Sequence, residues 1–72
     1  MDTATAHFAI KTFLKDIRER LDKAARVAKA AEACAEADVD KGVQIALDLE
    51  QSLYEASRLL DAVSLIGRLS QR

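Results

Sequence analysis

Seventy-two residues make one small domain, below the size at which a single core comfortably outweighs chain entropy, so disulfides, a metal or oligomerisation must complete it. One cysteine, Cys34, and one histidine, His7, exclude a disulfide framework and a zinc cluster, which leaves oligomerisation and points to a reducing compartment. No apolar run approaches the ~20 residues of a membrane span, Met1-Asp2 opens no basic leader, and a net charge of −1 is not that of a polybasic binder, so the chain is read as cytoplasmic.

Asp2, Thr3 and Thr5 offer side-chain oxygens to cap a first helix, expected over about residues 4–36. Within it Ile10, Leu14, Ile17, Leu21, Ala24, Ala28, Ala31 and Ala35 recur at alternating spacings of four and three, the seam of a helix that packs on another helix. Eight of the fourteen residues from Ala24 to Ala37 are alanine, which favours helix and leaves a thin face that a neighbouring backbone can approach closely. Charge divides along the chain: Lys11 to Lys29 holds seven basic and three acidic residues, and Ala30 to Asp61 eight acidic and two basic.

A turn is expected at about residues 37–39, where Asp38 is placed to cap the helix that follows and Asp40 to complement its dipole. The second helix, about residues 40–69, carries the seam Ala46, Leu49, Leu53, Ala56, Leu60, Val63 and Gly67, and Arg68 and Arg72 suit its C-terminus. The fold class is therefore all-α, a two-helix antiparallel hairpin in a single domain over residues 1–72. Its alternative is one long continuous helix in a coiled coil, because the first register runs on through Gly42, Ile45, Leu49, Ser52, Ala56, Leu59, Val63 and Ile66. The hairpin is preferred because Ala35, Asp38 and Gly42 would leave that long helix a heptad without a large apolar side chain.

One flank of the expected hairpin, Phe13, Val27, Cys34, Ile45, Leu59 and Ile66, is apolar and is interrupted by Arg20 and Ser52. These eight residues are expected to form the interface of a homodimeric four-helix bundle, with Arg20 and Ser52 as a polar layer that fixes its register. Phe8, Leu65 and Leu69 point outward at the end opposite the turn and are read as a surface for a protein partner. Folding also brings Gly67 opposite His7, where a missing side chain leaves room for the imidazole.

No motif carries chemistry or points to a known family. His7 lacks a Glu or Asp three residues before it, Cys34 lacks an activating neighbour and is read as a small apolar side chain, and Asp48, Glu50, Glu55 and Asp61 fall on different helical faces. Neither catalytic, cofactor-binding nor metal-binding residues are expected, and no cofactor. The basic run Lys11, Lys15, Arg18, Arg20, Lys23, Arg26 and Lys29 is interleaved with Asp16, Glu19 and Asp22, as on a salt-bridged solvent face, which argues against nucleic acid. The expected function is thus a non-enzymatic protein–protein interaction or adaptor protein acting as a homodimeric bundle. An RNA-binding regulator using the basic face of the first helix is one alternative. A hairpin co-chaperone or subunit of a hetero-complex is another.

Overall fold

The computed structural model describes residues 2–71 and is an antiparallel pair of helices, α1 (Thr3–Ala37) and α2 (Val39–Ser70). The long axis of the molecule is 53 Å, the length that α1 alone reaches at about 1.5 Å per residue, so α1 runs the full height of the hairpin. At its start Asp2 is extended and accepts from the Thr5 backbone N–H at 3.1 Å and from the Thr5 hydroxyl at 3.0 Å. Those two donors, the N–H foremost, hold the Asp2 carboxyl below the usual carboxylate range.

The turn is tighter than the three residues expected: Asp38 alone separates the helices. Its extended backbone (φ −152°, ψ 101°) breaks the helical path, and each of its polar groups is used. The Asp38 N–H donates to the Cys34 carbonyl at 2.9 Å and closes α1. Its carboxylate accepts from Lys41 N–H at 3.2 Å, and its carbonyl accepts from Gly42 N–H at 3.1 Å, which together open α2. The continuous-helix alternative is excluded by this break. Arg72 lies outside the described residues, while Arg68 sits in the last turn of α2 as anticipated.

Just beyond the turn the helices touch. A Cβ built on Gly42 would lie 2.6 Å from Ala35 Cβ and 2.9 Å from the Ala31 carbonyl oxygen, so only glycine fits there. Gly67 meets nothing within 4 Å, and His7 is exposed, so the space expected for an imidazole is not used by it.

The side chains that face between the helices differ from the expected seam on both sides. Along α1 the buried and half-buried positions include Ala6, Ile10, Phe13, Ile17, Arg20, Ala24, Val27, Ala31, Cys34 and Ala35; along α2 they include Gly42, Ile45, Ala46, Leu49, Ser52, Ala56, Leu59, Val63, Ile66 and Gly67, with Ala35, Ala46 and Gly67 where periodicity puts them. Leu14, Leu21, Ala28, Leu53 and Leu60, placed in the seam by periodicity, are exposed. Both choices share Ile10, Ile17, Ala24 and Ala31 and alternate by three and four. They differ by a helix rotation of roughly 50°, from 100° per residue, and a stripe three positions wide satisfies either.

Among the described residues the buried apolar side chains are Ala6, Ala24, Ala31 and Ala56, and no large side chain is fully buried. Close approach at small residues therefore holds the pair, with Ile, Val, Leu and Phe half-covered around it.

Three outcomes follow for stability, measured by chemical denaturation. Asp38→Ala removes the cap and is expected to cost roughly 0.5–2 kcal/mol. Gly42→Ala is expected to destabilise as well, since overpacking of roughly 1–3 kcal/mol outweighs the gain in helix propensity of about 1 kcal/mol. The same change at Gly67 meets no neighbour and is expected to stabilise by about 0.5–1 kcal/mol.

Candidate functional site

The two flanks of the hairpin have opposite character. On one, Arg20 Nε donates to Asp16 Oδ1 at 3.0 Å along α1, and Arg20 Nη1 reaches across to Glu55 Oε2 on α2. Glu55 Oε1 in turn accepts from Gln51 Nε2 at 2.7 Å, so Asp16, Arg20, Glu55 and Gln51 form one network bridging the helices. A groove beside it is lined by Arg20, Lys23, Val27, Asp48, Gln51, Ser52 and Glu55. Charges of both signs alternate in it, and no buried polar side-chain atom among the described residues lacks a partner.

Because Lys23, Asp48 and Glu55 share that groove, the positions across the seam from them share the other flank. These are Leu14, Leu21 and Ala28 on α1 and Ala46, Leu53 and Leu60 on α2. The four leucines are 47, 46, 51 and 57 % exposed, in the order Leu14, Leu21, Leu53, Leu60. The contacts of Gly42 with Ala31 and Ala35, together with Arg20–Glu55, fix the register of the helices. In that register Leu14 and Leu60 lie at neighbouring heights, followed by Leu21 and Leu53, as a strip of leucines edged by Arg18, Ser57 and Ser64.

The residues assigned to the dimer interface, Phe13, Arg20, Val27, Cys34, Ile45, Ser52, Leu59 and Ile66, are all half-buried between α1 and α2. They cover each other within the chain. Arg20 and Ser52 do come together, in the polar groove, but the charge of Arg20 is matched by Asp16 and Glu55 of the same chain. The leucine strip is the surface that periodicity hid, since it absorbed those leucines into the seam. The signal available was the width of the stripe: three apolar positions per two turns is more than one neighbouring helix covers.

At the open end Phe8, Leu65 and Leu69 are exposed at 73, 52 and 38 %. Leu65 and Leu69 are one turn apart on α2, whereas Phe8 lies on the face of α1 turned away from α2, so the three do not form one patch. Val39, Val43 and Leu47, one turn apart along the start of α2, add an exposed apolar ridge near the turn.

Among the basic residues of α1, Arg18 pairs with Asp22 at 3.1 Å and Arg20 with Asp16 and Glu55. Of the interleaved carboxylates, Asp16 and Asp22 are thus each paired with an arginine four residues away. Cys34 is a free, half-buried thiol beside the turn. Among the described residues no group of three or more His, Cys, Asp or Glu side chains is placed to hold a metal, and no helix is long and apolar enough to cross a membrane. No protein-family model matches the chain, nor does any curated protein or solved structure.

The Arg20–Glu55 pair is partly exposed, so its coupling is expected to be modest. A double-mutant cycle with Arg20→Met and Glu55→Gln is expected to give about 0.2–1 kcal/mol, falling at high ionic strength.

Proposed function

We propose that this protein works by association and not by chemistry: a small, non-enzymatic interaction or adaptor protein that acts as a homodimeric helical bundle. The observation that carries the proposal is the strip of Leu14, Leu21, Leu53 and Leu60, exposed beside a core whose buried apolar side chains are alanines. Four large aliphatic side chains in one strip favour leaving water, and covering the exposed half of each is worth about half of the roughly 1.5–3 kcal/mol of a full burial. The total surface gives the same balance. It is 5544 Å², about 1,100 Å² above the ~4,400 Å² that a compact monomer of 7.9 kDa exposes, and a standard interface takes about 800 Å² from each partner.

The interface assigned from periodicity moves accordingly, from the half-buried seam to the leucine strip, while the assembly stays a four-helix bundle. Burial of the strip leaves Leu65 and Leu69, one turn apart on α2, for a protein partner, with Phe8 outside that patch. A reducing, cytoplasmic setting is in keeping with the free thiol of Cys34.

Sedimentation equilibrium tests the proposal. The wild-type chain is expected to be dimeric at micromolar concentration, and Leu21→Ser with Leu53→Ser is expected to weaken the dimer by about a hundredfold or more, from roughly 0.7 kcal/mol or more for each of the four half-exposed leucines that a dimer loses. A well-folded wild-type monomer would overturn it. Retention of RNA at low salt that is lost as salt rises would favour the nucleic-acid reading instead.

A further inference from the structure

We infer that the leucine strip is covered by a second copy of this chain turned end for end, about a two-fold axis that crosses the strip at Leu21 and Leu53. The inference rests on the association proposed above and adds the identity and direction of the occupant. Leu14 and Ala28 lie seven residues to either side of Leu21, and Ala46 and Leu60 lie seven to either side of Leu53. The register set by Gly42 with Ala31 and Ala35, and by Arg20 with Glu55, brings Leu21 and Leu53 to nearly the same height. One axis, lying in the plane of the strip and perpendicular to the helices, therefore serves both helices at once.

Rotation about it lays α1 antiparallel on α1 of the second copy, and α2 on α2. Leu14 then meets Ala28 of the second copy, and Leu60 meets Ala46 of the second copy. Leu21 and Leu53 meet their own counterparts. The next positions outward pair His7 with Ala35 and Val39 with Gly67, so large faces small on either side of the axis and like meets like only at Leu21 and Leu53.

Charge favours the same direction. Lys11 and Glu32 sit on the rim of the strip, about ten residues to either side of Leu21, and the rotation brings each to the other in the second copy, twice per dimer. Among residues 2–71 the half of the hairpin nearer the turn carries seven acidic and four basic side chains, and the open half five acidic and six basic. Turning one copy end for end sets the acidic half against the slightly basic one.

The other closed arrangement has its axis along the hairpin and lays α1 on α2 of the second copy at equal heights. Leu14 would meet Leu60 and Leu21 would meet Leu53, while Ala28 met Ala46. That packs large on large at one end, leaves a void at the other, and sets the two acidic halves side by side.

Cysteine crosslinking in a Cys34→Ser background separates the cases, with circular dichroism confirming that each variant keeps the parent's helicity. Leu21→Cys alone and Leu53→Cys alone are each expected to give disulfide-linked dimers on mild oxidation. Leu14→Cys is expected to crosslink only when mixed with Ala28→Cys. A chain that sediments as a dimer but crosslinks only in a mixture of Leu21→Cys with Leu53→Cys overturns the end-for-end direction and leaves the strip as the contact. A dimer in which none of these thiols crosslinks overturns the strip itself, and a wild-type monomer overturns the association on which both rest. In the same format Glu32→Lys is expected to raise the dimer Kd about threefold to tenfold, and Lys11→Glu in the same chain to restore it; a double variant weaker than the single one would count against the end-for-end pairing.

Discussion

The hairpin depends on how Asp38 is used. Two helices joined by a single residue leave the chain almost no freedom at the turn, and that residue must satisfy groups on both sides. Asp38 does so with its N–H toward Cys34, its carbonyl toward Gly42 and its carboxylate toward Lys41. A turn so short fixes where α2 starts relative to α1 and brings Gly42 onto Ala31 and Ala35 within its first turn. The register of every later layer is inherited from that point, because both helices are continuous from there to their far ends.

With the register fixed, the two flanks divide the work. The flank with Asp16, Arg20, Glu55 and Gln51 is closed by its own hydrogen bonds and ion pairs, and its charges are matched within the chain. The opposite flank carries leucines that the chain leaves about half exposed. Ionic and apolar contacts are thus segregated by side and not layered along the seam. A partner helix on the leucine side would not need to desolvate Arg20 or Glu55, whose removal from water is costly.

Much of this was legible in the residues. The turn could be read because capping is local: an aspartate followed by Val39-Asp40-Lys41 names its own hydrogen bonds. The thin, closely packed stretch near the turn could be read from the alanines between Ala24 and Ala37. The seam could not. Ile10, Ile17, Ala24 and Ala31 belong to both possible seams, and the flanking candidates, Phe13 and Val27 on one side and Leu14 and Leu21 on the other, are similarly hydrophobic. What decides between them is non-local, the fit of Gly42 against α1 and the reach of Arg20 to Glu55, and neither is a feature of spacing within one helix. The flank expected outside the seam therefore lies between the helices, and Leu14, Leu21, Ala28, Leu53 and Leu60 of the expected seam lie exposed, while the hairpin itself stood.

The closeness of the helices beside Asp38 also sets an order of assembly. Contact between Gly42 and Ala31 or Ala35 closes a segment of ten residues or fewer, whereas Ile10 and Ile66 at the far end enclose more than fifty. Closing the longer segment first costs roughly 1.5–2 kcal/mol more in chain entropy. The shorter one lies next to the alanine-rich end of α1, which is already the most helix-prone part of the chain. The hairpin is accordingly expected to zip from the turn outward, with substitutions around Ala31, Ala35 and Gly42 acting on the rate at which the chain folds and those around Ile10, Phe13 and Ile66 on the rate at which it comes apart.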